Sequence, residues 1–474
     1  MKTKTKRYLA PIAALGLCAA LLCGFLAGCG ARERERENER KEDDRIVNPV
    51  EDTGITLKLY QPDPARAGLW QTLAADYKAL SGVTVNVMSP ETETPHTELR
   101  ESLLREEGAP GIFLFTHPRE YRGWPERAAD LTDTQAYRQL INSRMALMAD
   151  GKVIGLPVGV DAFGVIYNKK ILDKYFALED AAVASISEIN SHAEFSRLVK
   201  DLHEKKEELG IEGVFAAPAY KEGESGVWTT RLFSVPLGHE LAARRTELTA
   251  EEFEEPTWTH ARGYRTFHDL MAGHATTKEK LAERTHANAA QEFATGKAAL
   301  IIGGTEFLGH LNSVEGQTVT AEDVAFLPIM LEMENETGRQ GLAFDVTEYA
   351  AVNARLGEED RRAAADFLNW LYTSEKGMDF LANKLGVLAP YESQNAATMP
   401  NNPLSADAFA WLKKEDVQNV VTWSSLAGGE EFRDKVLGRG MAAYHAGESG
   451  WEEFREGVAK GWNDLRGSWD RMFK

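Results

Sequence analysis

ITLKLYQPDPARAGLWQTLAADYKALSGVTVNV, residues 55–87, is the stretch whose reading decides the fold. Ile55–Tyr60 alternates apolar and polar side chains with the period of two that a half-buried strand requires. From Gly68 to Leu80 the apolar residues Leu69, Leu73, Tyr77 and Leu80 fall on one face of a helix. Val83–Met88 alternates again. Downstream, Glu98–Arg105 has helical spacing, and Gly111–Phe115 (GIFLF) is a short apolar run suited to a buried strand. The order βαβαβ predicts an α/β fold whose mostly parallel sheet carries helices on its faces.

The same alternation continues along the chain. Gly164–Tyr167 reads as a strand after a turn around Gly155-Leu156-Pro157, and Ser187–Leu209 as a long helical region. Ala298–Ile302 is a buried strand preceded by a helix that ends near Thr295-Gly296. Asp360–Tyr372 and Ser374–Asn383 are amphipathic helices, and the chain from Ser405 onward reads as helical and rich in tryptophan. A chain of 474 residues is long enough for two or three domains.

The start of the chain addresses it to a membrane. Lys2, Lys4, Lys6 and Arg7 precede a nearly uninterrupted apolar stretch from Tyr8 to Leu26, followed by Ala27-Gly28-Cys29. A basic start, an apolar stretch and small residues at its end form an export signal, with an uncleaved anchor helix as the alternative. Residues 31–45 (ARERERENERKEDDR) are charged almost throughout and cannot bury a core, so 29–52 reads as a solvated tether. Cys18, Cys23 and Cys29 are the three cysteines, so nothing after residue 29 can form a disulfide or a thiolate metal site. A net charge of −19 argues against a nucleic-acid partner.

Four segments, in order, resemble the extracellular solute-binding proteins for sugars, the maltose-binding-like capture subunits of ABC importers. DGKVIGLPVGVDAFGVIYNKKIL (150–172) is similar to that family's G-K-x-x-x-x-P turn, crossover and Y-N-K. FATGKAALIIGG (293–304) resembles its F-x-x-G-x-A-A-M helix–strand. AAADFLNWLYTSEKGMDFLANKLGVLAPY (363–391) resembles its helix pair and following loop, and 55–87 its first strand–helix–strand. Ala27-Gly28-Cys29 resembles a lipobox, which makes 1–28 the signal peptide and Cys29 the lipidated first residue. The resemblance implies a two-lobed periplasmic-binding-protein-like fold (type II). Lobe one would hold 53–160 and 343–390, and lobe two 163–342 and 391–474. It further implies a monomer anchored by lipid on the extracytoplasmic side of the cell membrane, a carbohydrate ligand, permease subunits as partners, no cofactor and no metal.

Ligands of open α/β sheets sit outside the carboxyl ends of strands. Those loops offer Asp63, Phe115, Arg119, Asp161, Trp228, Glu306 and Asp345, with Trp423 reaching in from the C-terminal helices. Carboxylates accept sugar hydroxyls and aromatic faces cover the apolar side of a sugar ring. The bland alternatives are a turn cap for Asp161, a surface pair with Glu120 or Glu126 for Arg119, and packing for Trp423. Trp124 reads as a surface or core residue, and Trp451, Trp462 and Trp469 as core. The family commonly has tryptophan where Glu306 stands and aspartate near Gly111. The first departure removes a stacking face and adds a carboxylate, so a cationic or polyol solute becomes the second expectation after an oligosaccharide.

A secreted glycan-acting hydrolase is the main rival, since carboxylate pairs can cleave glycosidic bonds. The sequence has no H-E-x-x-H and no G-x-S-x-G; His239-Glu240-Leu241 lacks the second histidine, and Gly303-Gly304-Thr305 lacks a phosphate loop's lysine. The eleven histidines are scattered rather than set at ligand spacing. An adhesive surface lipoprotein with the same fold and no working cleft is the other rival.

Overall fold

Among the described residues ten strands build one mixed sheet: β1 (Thr56–Tyr60), β2 (Thr84–Met88), β3 (Ile112–Phe115), β4 (Leu147–Ala149), β5 (Lys152–Asn168), β6 (Gly213–Phe215), β7 (Ala298–Gly304), β8 (Val324–Leu327), β9 (Arg339–Val352) and β10 (Val417–Thr422). The computed structural model describes residues 51–474 except 106, 225, 245–256, 335–337, 423, 428, 473 and 474. Contacts divide these into a main body, Gly54–Lys78 with Val83–Lys474, and a small unit containing 51–53 and Ala79–Gly82. In the small unit the Thr53 amide donates to the Gly82 carbonyl at 3.3 Å. Signal peptide, lipobox and most of the tether lie outside the described residues.

The main sheet path runs β2-β1-β3-β9-β5-β7-β6, with β10 on β9 and β4 and β8 on β5. Pairs β1/β2, β1/β3, β6/β7 and β9/β10 are parallel, as the βαβαβ reading expects. Every antiparallel pair among the described strands includes β5 or β9. These two strands are three times the usual strand length of five to six residues, or nearly so. The first half of β5 pairs with β4, its middle with β9 and its second half with β7 and β8. Strand β9 runs back, leaving β10 at its first half and joining β3 at its second. Two strands thus carry the chain from the β1–β3 group to the β7–β8 group and back.

Gly159 breaks the β5/β9 register midway, between Pro157↔Tyr349 and Val160↔Val346. A Cβ there would lie 2.7 Å from Val387 Cβ, so the irregularity needs glycine for space. The Thr347 hydroxyl donates to the Gly159 carbonyl, and the Val160 amide to that of Leu388, which fixes the bend.

Helix Ala67–Ser81 buries Trp70, Leu73, Ala74 and Tyr77, an i, i+3, i+4, i+7 stripe. Leu69 and Leu80, assigned to that face from the sequence, are instead exposed. The expected 187–209 helix is two, His192–Glu204 and Lys206–Leu209, separated at Lys205; the Ser191 hydroxyl caps the first by accepting from the Glu194 amide. The C-terminal stretch is not wholly helical: β10 interrupts it, held by parallel pairing to β9. Helix Gly226–Arg244 had no sequence expectation. Residues 228–240 are all buried, so it shows no amphipathic stripe, and Pro236 inside it argues locally against a helix.

Candidate functional site

Asp161 lies in β5 directly across from Asp345 in β9, where the two long strands meet. The carboxyl end of β7 comes to the same place, since Phe163 pairs with Gly304. Glu306 follows that strand end and begins the turn into helix Phe307–Ser313. Three carboxylates far apart in sequence therefore share one neighbourhood.

Arg231, from the buried Gly226–Arg244 helix, binds two of them. Its Nη2 donates to Asp161 Oδ2 at 2.9 Å and its Nη1 to Glu306 Oε2 at 2.7 Å. Only 8 % of Arg231 is exposed, whereas the Asp161 and Glu306 side chains are 33 % and 47 % exposed. Burial opposes the charge on Arg231, but Glu306, Asp161 and Asp345 together outweigh it and raise the guanidinium pKa above its ordinary value. Gly304 makes room for the pair. A Cβ at that position would stand 2.3 Å from Glu306 Oε2 and 2.4 Å from Arg231 Nη1. The remaining oxygen of Asp161 accepts from the Thr305 hydroxyl at 3.1 Å, and the Thr305 carbonyl accepts from Asn402 Nδ2. Asp161 is thus tied to its surroundings by side-chain bonds rather than acting as the cap of a turn.

Asp345 has a different attachment. It accepts the Ser424 amide at 2.9 Å and the Ser424 hydroxyl, which joins the segment after β10 to β9. Burial raises its carboxyl to about 6 despite the opposing pull of Arg231 and Ser424. Trp423, immediately before, lies outside the described residues.

A second polar cluster surrounds the loops after β1 and β3. Asp63 accepts the Ala65 amide as the cap of a short 3₁₀ turn and sits 3.4 Å from Arg66. Arg66 in turn lies 3.8 Å from Glu348 of β9. Glu348 is buried, and desolvation, opposed by Arg66 and reinforced by Asp63 and Glu120, pushes it up to about 7. Glu120 accepts the amides of Thr116 and His117, yet burial pushes it up to about 7 as well. Gln61, wholly buried, accepts the Asp63 amide, while its Nε2 has no partner among the described residues. Sequence reading singled out this loop through Asp63 and missed Glu348, which only the β9 pairing brings to it.

Arg119 is not a surface residue. It is 1 % exposed, and its guanidinium lies 4.8 Å from the Trp469 ring centroid, with His117 packed on the same ring. Trp469 belongs to the C-terminal helix Trp451–Met472, where Trp462 and Trp469 are buried as expected and Trp451 is half-buried. Phe115 is core, set against Trp124 and Tyr349. Trp228, expected to offer a stacking face, is buried; its Nε1 donates to the Ala219 carbonyl and its ring packs near Tyr220. Trp124 is fully buried. Of the sequence candidates, the structure gathers Asp161, Glu306 and Asp345 around Arg231, a residue no motif or spacing marked.

Among the described residues no group of three or more His, Cys, Asp or Glu is placed to hold a metal ion, and no helix is long and apolar enough to cross a membrane.

With this architecture, two long strands linking two groups of shorter ones and a polar cluster where they meet, the chain belongs to the bacterial extracellular solute-binding proteins, whose family model matches residues 72–410. Its fold is similar to that of a family 1 extracellular solute-binding protein from Bifidobacterium longum subsp. infantis, at 16 % identity and TM-score 0.61 over 87 % of this chain and 99 % of that one. It is likewise similar to the apo form of RafE from Streptococcus pneumoniae, at 12 % identity and TM-score 0.61 over 87 % and 98 %. The cyclic alpha-maltosyl-1,6-maltose binding protein of Arthrobacter globiformis matches at 18 % identity and TM-score 0.56 over 88 % and 99 %. No curated protein matches the sequence.

Proposed function

We propose that this chain is the capture subunit of an ABC importer, taking up a sugar or oligosaccharide and releasing it unchanged to membrane permease subunits. The observation that carries the reading is the placement of Asp161, Glu306 and Asp345 where β5 and β9 meet, on a chain of the solute-binding family. Half-exposed carboxylates there suit ligand hydroxyls, each of which donates one hydrogen bond. The sugar-binding names of structural relatives support the ligand class.

In this reading residues 53–160 and 343–390 form one lobe and 163–342 and 391–474 the other, with β5 and β9 as the hinge. A solute touching both lobes favours their closed arrangement, and the permease reads that arrangement as occupancy. Asp161 and Glu306 carry ligand contacts, while Asp63, Arg119 and Asp345 shape the walls. Phe115 and Trp228 are packed in the body and serve as support. Cys29 holds the lipid that keeps a monomeric protein at the outer side of the cell membrane. Capture without chemistry fits a site whose two accessible carboxylates are both engaged by one guanidinium.

The test is a glycan panel including raffinose and maltooligosaccharides, read by thermal shift and calorimetry, with chromatography of the recovered sugar. A saturable stabilisation with intact ligand is the expected result. Cleaved glycan would establish a hydrolase, and no response to any member of the panel would end the sugar reading.

A further inference from the structure

We propose that Arg231 is the specificity determinant of this site: a built-in counter-ion that bars cationic solutes and reserves the carboxylates for neutral, hydroxyl-rich ones. The inference rests on the proposed capture of a small solute at the Asp161–Glu306 cluster.

Three acidic side chains in one neighbourhood would, alone, attract a cation or an amino-bearing solute. The protein supplies that cation itself. Arg231 engages one oxygen of Asp161 and one of Glu306 at once, at 2.9 and 2.7 Å, from a helix whose neighbouring residues are all buried. A guanidinium has no accessible neutral form, so the counter-charge does not depend on pH. A solute cation entering the site meets carboxylates already paired and a fixed positive charge beside them. A hydroxyl meets a different prospect. Glu306 is half exposed and only its Oε2 is taken by Arg231, while the buried Arg231 Nε has no partner among the described residues. The site keeps hydroxyl-binding capacity while its two accessible carboxylates share one fixed positive charge.

Geometry shows that the pair is accommodated rather than incidental. Gly304 leaves the space in which Arg231 Nη1 and Glu306 Oε2 meet over the strand end, because a Cβ there would stand 2.4 Å and 2.3 Å from them. The backbone, the buried helix and the two carboxylates all converge on this one contact.

The experiment compares wild-type full chain with Arg231→Gln and Glu306→Gln, using spermidine, raffinose and trigalacturonic acid as probes in calorimetry, with circular dichroism as the folding control. Wild type is expected to ignore spermidine at millimolar concentration. Arg231→Gln, which releases both carboxylates, is expected to gain at least tenfold in spermidine affinity in a salt-sensitive manner. Glu306→Gln alters a half-exposed side chain and so keeps the fold even where Arg231→Gln does not. It leaves the guanidinium one counter-charge short and is expected to raise affinity for trigalacturonic acid at least tenfold. Spermidine binding by wild type overturns the proposal. So does a folded Arg231→Gln without the gain, or an unfolded one accompanied by no anion gain in Glu306→Gln. A wild type that binds neither neutral glycans nor spermidine sinks the sugar reading alone, since the charge rule is still read from the variants.

Discussion

Replacing Glu348 by glutamine should make the protein more stable at pH 8 and leave it nearly unchanged at pH 4.5. Glu348 is only 4 % exposed, and desolvation raises its carboxyl from 4.5 to about 7. Between those values the folded protein holds a proton that the unfolded chain has released, so stability falls as pH rises through the window. The favourable contribution is fully present below pH 4.5 and is lost as pH climbs past 7. A shift of this size corresponds to roughly 3 kcal/mol at 1.36 kcal/mol per unit. Glutamine keeps the shape and does not titrate, so it escapes the cost of an ionised buried carboxylate. Glu120 and Asp345 titrate in the same direction, and the histidines His117 and His239, lowered by burial to about 3, titrate oppositely. Both proteins share these groups, so they cancel when the two are subtracted. Urea unfolding at pH 4.5, 6 and 8 measures the difference. It should widen with pH toward ~3 kcal/mol in favour of the variant. Stability curves that stay parallel from pH 4.5 to 8 would show that Glu348 ionises freely and refute the argument.

Two further substitutions test the polar junction and the C-terminal helix. Asp161→Ala takes away the Arg231 Nη2 partner and the acceptor of the Thr305 hydroxyl. It should cost about 1–3 kcal/mol in chemical unfolding, the usual cost of stranding a buried donor, and lower sugar affinity at least tenfold by calorimetry; wild-type affinity would remove Asp161 from the site. Trp469→Ala deletes a buried ring that packs on Arg119 and on Trp462. A loss of about 3–5 kcal/mol is expected from such a truncation, seen as a lower thermal midpoint, whereas a loss under about 1 kcal/mol would mean that the helix end contributes little packing.

The fold was largely legible because its signals are local. Alternation in Ile55–Tyr60 and Val83–Met88 survives as β1 and β2, and GIFLF as β3, each within one residue of the expected bounds. Where the reading slipped, a non-local partner had decided the outcome. Strand β10 exists because β9 offers it an edge, and β5 extends over seventeen residues because four different strands pair along it. In helix Ala67–Ser81 the sequence stripe is right at Leu73 and Tyr77 and wrong at its ends, where Trp70 rather than Leu69 faces inward, since both are apolar and spacing alone does not choose between them.

The site was legible in its acids and illegible in its base. Asp161, Glu306 and Asp345 stand at strand ends and crossovers, positions that general α/β geometry marks. Arg231 stands in a helix that sequence periodicity cannot detect, because a helix buried on every side carries no stripe and this one also contains Pro236. Counted without their counter-ion, these carboxylates point to a cationic solute; Arg231 adds a positive charge that such a count leaves out. The one local trace of the missing partner is Gly304, whose lack of a side chain leaves space for a guanidinium. A run of acids converging on a strand that ends in glycine is therefore reason to look for an internal cation before proposing a bound one.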